Sequence, residues 1–319
     1  MMPESTTINY AEAYMAAVQE SFYPTSLYSS ALWLSPANAG ISFLGAKTIK
    51  VPTLKINAGR TDHTRRSSTA IQANYSDDWT PMQLTHEREW STLVDPIDVD
   101  ETNQVVSIAN VTRQFNLDEK MPEQDRYMFS KLYADKTAKN DGGIYTESLD
   151  ASNILTIFDE LMEQMDEKRV PAVGRLLYVN SHTNTILKQA DALNRTLLIS
   201  NPNNISRAVH TLDEVTIVVV PSDLIQTKFD FAVGSKTVDD AQQIDMMLVY
   251  NGVQIAPQKY SFVGFDQPNA ANGGNYLYRE ISYDDVFLLP TKSAGIAFHV
   301  SDKAKPATTD GTGTAQGEA

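Results

Sequence analysis

The sequence predicts an α+β protein. Three observations carry this: two polar-faced β patterns flanking a long loop between residues 47 and 95, a long interrupted helical pattern over 98–140, and a series of short strand patterns between 175 and 300.

Taken in order, the first helical pattern lies around 10–21, where Ala11, Tyr14, Met15 and Val18 recur at helical spacing. The segment 22–33 is rich in aromatics and broken by Pro24. It lacks a core of its own, so it packs either on its own chain or on a partner surface. Within it, Tyr23 and Trp33 are candidate contact residues. Two strands, 49–56 and 82–90, then flank a polar loop with Gly59, Arg60, Asp62, Arg65 and Arg66. They read as the arms of one projecting hairpin. Such a hairpin is marginal alone, so a neighbour is expected to order it. Arg60, Arg65 and Arg66, with Trp90 on the return strand, are the expected inter-subunit contacts.

Val105, Ile108, Ala109, Thr112 and Phe115 form one helical face. Asp100 and Glu101 suit the helix's N-terminal end, and Pro122 restarts a helix at its first turn. Asp141-Gly142-Gly143 ends it. Ser152 is the expected cap of the next helix, whose stripe is Ile154, Leu155, Phe158, Leu161, Met162 and Met165. A strand over 175–179, a helix over 181–193 and a buried strand over 215–220 follow. Strands at 246–250 and 252–255 are expected to form a hairpin around Asn251-Gly252. Strands at 276–283, 285–289 and 295–300 complete the pattern. Residues 302–319 carry no large apolar group and read as disordered.

The chain has 319 residues, 42 % of them apolar, and a net charge of −14. Mean hydropathy is −0.31. No apolar run approaches the roughly 18 residues a membrane helix needs, and no secretory signal pattern is visible. There is no cysteine, which excludes disulfides and thiolate chemistry. An acidic chain repels nucleic acid unless its charge is segregated. Here Glu4, Glu12 and Glu20 all precede the first cation, Lys47.

Catalytic patterns are missing. The five histidines (63, 86, 182, 210 and 299) show no metalloprotease spacing, and no phosphate-binding glycine loop or nucleophile elbow exists. Asp95, Asp98, Asp100 and Glu101, and separately Asp284 and Asp285, could hold Ca²⁺ or Mg²⁺; helix-end and loop acids is the plainer reading. No catalytic residue, cofactor or metal is expected. The cluster Arg60, His63, Arg65 and Arg66 lacks interleaved aromatics for base stacking. It fits a salt-bridging contact to an acidic neighbouring subunit, or a solvated loop.

The order of segments resembles the tailed-bacteriophage major capsid family, whose fold is shared by encapsulin and herpesvirus shell proteins. FLGAKTIKVP (43–52) resembles the strand opening the family's extended loop. EREW (87–90) with VDPIDVDET (94–102) resembles the loop's return to the spine helix, and MPEQDRY (121–127) the break within it. LLYV (176–179), VPS (220–222) and YDDVFLL (283–289) match further on. The resemblance implies an N-terminal arm at 1–46, an extended loop at 47–95 and a peripheral domain with a long spine helix at 96–173. It further implies an axial domain, mainly 174–275, return strands to the peripheral domain at 276–301, and a tail at 302–319. It implies hexamers and pentamers tiling an icosahedral head shell around dsDNA, in the virion, after assembly in the host cytoplasm. Implied partners are further copies of the chain, a portal, a decoration protein and DNA contacted non-specifically, with no membrane. The shell-like pattern begins near residue 43, so a separate scaffolding protein is expected. An encapsulin-type compartment, a tail-tube subunit, and an α/β enzyme supported by the alternation at 175–220 are the alternatives.

Overall fold

The structure is a computed structural model describing residues 23–24, 26–43, 47–57, 59–60, 75–101, 107–190 and 211–301. The expected helix at 10–21, the tail at 302–319, Val105, and residues Arg65, Arg66, His63 and His210 lie outside the described residues.

The centre is a six-stranded sheet. Its strands run in the order Ile144–Tyr145, Ile296–Ser301, Gln243–Tyr250, Arg175–Asn180, Val215–Val220, Thr211–Leu212. Successive strand residues point to opposite faces, and Gln243–Tyr250 is buried along nearly its whole length. Met247 and Val249 face one side, against Tyr127, Met128, Phe129 and Leu132 of the helix Met121–Lys139. Met246 and Leu248 face the other, against Ile157, Phe158, Leu161 and Met165 of the helix Ile154–Glu167. The sheet is thus sandwiched between two helices. The strand Ile296–Ser301 lies inside this sheet, beside Gln243–Tyr250. The return strands at 276–301 therefore divide among three sheets.

The long helix is one rod. Helix Ile108–Phe115 passes through a π-helical turn, Asn116–Lys120, directly into Met121–Lys139. Pro122 sits at the start of the last stretch, where its missing N–H costs little, so it does not break the rod. Asp100 and Glu101 belong instead to a separate short helix, Pro96–Glu101. The rod ends at Asn140, in the left-handed conformation with φ 49°.

Three local expectations are corrected. The partner of Thr48–Ile56 is Tyr75–Gln83, not 82–90. Pro81 is tolerated because that strand is a sheet edge. Between the two sheets, Leu84 N–H bonds Lys47 O and Thr85 N–H bonds the Asp285 carboxylate, so the apparent alternation at 82–90 spans a change of sheet. Asn251-Gly252, with Gly252 at φ 108°, does not close a hairpin; it redirects the chain so that Gln254–Ile255 pairs with Phe287–Leu288. Ser152 does not cap the helix after it. The Asp150 carboxylate accepts from Ser152 N–H, Ser152 Oγ and Asn153 N–H instead. The strand Val215–Val220 exists, but only Val215 and Val220 are buried, because just a two-residue strand covers its outer edge.

Candidate functional site

The hairpin has nine paired residues per strand, from Thr48↔Gln83 at the base to Ile56↔Tyr75 at the far end. Its distal half is bare. Leu54, Ile56, Tyr75 and Trp79 are 67, 68, 64 and 47 % exposed. Arg60 is exposed beyond the last pair.

A second open surface is a three-stranded antiparallel sheet, in the order Gln258–Asp266, Tyr276–Asp284, His86–Val94. Residues opposite one another share a face. Trp90, Glu280 and Val263 stand in one row. This face meets the helical rod: Trp90 stacks on Phe115 with centroids 3.8 Å apart, and Lys120 Nζ lies 3.0 Å from Glu280 Oε2. Burial, reinforced by the hydrogen bond to Glu280, pushes the Tyr278 hydroxyl up to about 12. On the other face, Phe262 and Ile281 are paired, and Tyr260, Phe262 and Leu93 are exposed. The edge strand Gln258–Asp266 has Tyr260, Phe262, Val263 and Phe265 all exposed.

The arm residues are held by their own chain. Leu32 is fully buried, and Tyr23, Tyr28 and Trp33 pack against the main core. Asp125, fully buried on the rod, gathers them: it accepts from Tyr28 N–H at 3.1 Å, Ser29 N–H at 2.9 Å, Ser29 Oγ at 2.5 Å, and the Tyr23 hydroxyl. Burial, then the Asp125 carboxylate, hold the Tyr23 hydroxyl far above its ordinary range. Farther along, Ser35 Oγ donates to Gln254 O, and Gln254 Nε2 donates to Leu32 O. Of the two readings of this aromatic segment, packing on the same chain is the one observed for the described residues. Trp90 is likewise half-buried within its own chain.

Between the rod and the three-stranded sheet runs a polar cleft, closed at one rim by residues 232–236. At its floor, His86 Nδ1 lies 2.7 Å from Asp284 Oδ1, and the ring stacks on Tyr127 at 3.9 Å. Arg88 Nε lies 2.6 Å from Glu123 Oε1, and Arg88 Nη1 donates to Phe231 O. Asp285 accepts from Thr85, Tyr127 and Val286. Asp284 and Asp285 are thus committed to structural bonds, and Asp95 accepts from Ile97 N–H at the start of its helix. Burial and the nearby Asp285 hold the Tyr127 hydroxyl well above its usual range. Sequence reasoning missed the cleft because its walls come from strands and a helix far apart in the chain. The fully buried His299, at 3.2 Å from Asp245, stands apart from it in the six-stranded sheet. Among the described residues, no group of three His, Cys, Asp or Glu is placed to hold a metal ion. Among them, too, no helix is long and apolar enough to cross a membrane.

No protein-family model matches the sequence, and no curated protein matches it. Solved structures do match. A structure from Mycobacterium phage Che8 superposes with a TM-score of 0.62 at 16 % identity, over 90 % of this chain and 96 % of that one. The mature capsid of bacteriophage PhiM1 gives 0.66 at 12 % identity, over 91 % of both chains. The head structure of Helicobacter pylori bacteriophage KHP40 gives 0.58 at 12 % identity, over 93 % and 95 %. The chain therefore has the fold found in these phage structures, from one end of the aligned region to the other.

Proposed function

We propose that this chain is a structural subunit of a tailed-phage head, a major capsid protein that builds the shell around the dsDNA genome and catalyses no reaction. The observation that carries the reading is the two-way match: about nine-tenths of this chain and of the PhiM1 capsid chain superpose. The open surfaces support it. A bare hairpin and an edge strand with four exposed large apolar side chains fit a chain whose neighbours are copies of itself. On this reading the copies form hexamers and pentamers of an icosahedral shell, found in the virion. A portal, a separate scaffolding protein and a decoration protein are the further partners, and DNA is met only non-specifically. The strands 175–220 that could suggest an α/β enzyme belong to the central sheet, and its buried polar group, Asn180, Asp245 and His299, is sealed from solvent. Expression followed by sedimentation and electron microscopy tests the proposal. Capsomer rings or closed particles are the expected result. A chain that stays monomeric across salt, concentration and added scaffold would refute it.

A further inference from the structure

The chain has two Asn-Gly steps, Asn251-Gly252 and Asn272-Gly273. Such a step can react with itself. The glycine amide nitrogen attacks the asparagine side-chain carbonyl, and no glycine side chain shields that nitrogen. The structure treats the two steps differently. Asn272-Gly273 lies in the turn 267–275, which joins Gln258–Asp266 to Tyr276–Asp284. Gly273 is exposed, in the left-handed conformation with φ 65°. Asn269 N–H donates to Asn272 Oδ1 at 2.7 Å. That oxygen gains charge when the carbonyl is attacked, so the donor is aimed where an oxyanion forms. Asn251-Gly252 has neither feature. Gly252 is buried, and Asn251 Oδ1 is buried with no hydrogen-bond partner among the described residues.

We infer that Asn272 is a site of spontaneous deamidation, activated by its own turn, and that Asn251 is protected. The inference does not depend on the shell-subunit reading. Gly273 N gives its proton to solvent hydroxide and bonds to Asn272 Cγ. The Cγ–Nδ2 bond breaks, Nδ2 takes up a proton from water, and ammonia leaves behind a succinimide. Water then opens the ring at either carbonyl, giving aspartate or isoaspartate. Nothing is oxidised or reduced. The product changes the turn. Residues 267–275 carry no charged side chain, so either product gives the turn a carboxylate. Asn272 Nδ2 donates to Gln267 O at 2.9 Å. In aspartate an oxygen would face that carbonyl instead, and the bond is lost. Isoaspartate also lengthens the main chain between residues 272 and 273. That misaligns the bonds from Gly274 N–H to Asn269 O and from Asn275 N–H to Asn272 O.

The test ages the full-length, unassembled chain in mildly alkaline buffer, folded and, in parallel, unfolded in guanidinium chloride. Proteolysis and tandem mass spectrometry then locate and count deamidation at each step, and an isoaspartyl methyltransferase labels the isoaspartate. Unfolded, the two steps share the same local chemistry and should react at similar rates. Folded, Asn272 should react at least as fast as it does unfolded. It should also outpace Asn251 by at least about tenfold, since one oxyanion donor is worth more than that. An Asn272 that reacts more slowly folded than unfolded would show that the turn protects it, and would overturn the inference. Equal rates at Asn272 and Asn251 in the folded chain would overturn it too, because the structure would then not tell the two steps apart.

Discussion

Replacing Asp125 with alanine tests how the arm is held to the body. The carboxylate is fully buried and takes four donors from residues 23–29. A hydrogen bond to a charged group is worth about 1.5–3 kcal/mol net, but four donors sharing one carboxylate do not add. A firmer count starts from what is stranded. Ser29 is fully buried, so its N–H and hydroxyl both lose their acceptor with no water to replace it. Each stranded group costs about 1–3 kcal/mol. Removing the carboxylate also relieves its own desolvation, which offsets part of this. The expected loss is about 3–5 kcal/mol, a large share of the roughly 5–15 kcal/mol that holds a domain folded. Urea unfolding of the unassembled subunit, followed by circular dichroism, reads it as a midpoint lowered by about 1–1.7 M at a slope near 3 kcal/mol per M. Tyr23→Phe removes one donor and leaves the other three bonds, so it should cost only about 1–2 kcal/mol. A loss below about 0.5 kcal/mol for Asp125→Ala is what an exposed site gives. That result would refute the buried-hub reasoning.

Two further outcomes follow from the same geometry. Leu54→Ser and Ile56→Ser should leave the subunit's stability within about 0.5 kcal/mol, because both residues are already about two-thirds exposed. Particle yield should fall, since covering a large apolar side chain is worth about 1.5–3 kcal/mol; wild-type yields from both would show that no partner covers the hairpin. At alkaline pH, Tyr23 and Tyr127 keep their protons in the folded chain well past the ordinary tyrosine value of 10.0, whereas the unfolded chain releases them there. Their stabilisation is fully present below that value and declines as pH rises above it. Urea midpoints measured from about pH 9 to pH 11 should therefore fall, and Tyr127→Phe should flatten the fall; a level wild-type profile would contradict the burial of these hydroxyls.

What could be read from the sequence was what local periodicity encodes. The stripe Ile157, Phe158, Leu161, Met165 sits on the sheet where helical spacing puts it. The hairpin is legible, but its second strand begins seven residues before the point where the sequence pattern places it. Ser76, Asp77 and Pro81 dilute the apolar signal of Tyr75–Gln83, and Pro81 is compatible with a strand because, among the described residues, no further strand pairs outside it. The edge strand Gln258–Asp266 is not legible, although Tyr260 and Phe262 alternate; Gly264, in phase with them, interrupts the pattern. Pairing was the least legible feature. Nothing local tells Asn251-Gly252 to redirect the chain instead of closing a hairpin, because the competing partner, Phe287–Leu288, lies more than thirty residues away. The Asp125 hub joins residues about 100 positions apart, so only tertiary packing reveals that the aromatic segment has a core after all.

The open surfaces and the buried hub answer different physical demands. A subunit that assembles must first fold alone, so the arm and sheet cannot rely on a partner; Asp125 and the two-sided sheet meet that need within one chain. The distal half of the hairpin has no such support among the described residues, and two strands alone are marginal in water. Leu54, Ile56, Tyr75 and Trp79 already have part of their surface covered, so burying the rest yields about 1–2 kcal/mol apiece. Bringing two free bodies together costs about 4–15 kcal/mol. On the shell-subunit reading, a single hairpin contact therefore sits near break-even, and an isolated pair of copies is expected to dissociate. In a closed ring each copy both gives and receives the contact, and the last subunit forms two contacts while losing its freedom once. Surfaces too weak to hold a dimer are then sufficient to hold a ring, which favours complete assemblies over partial ones.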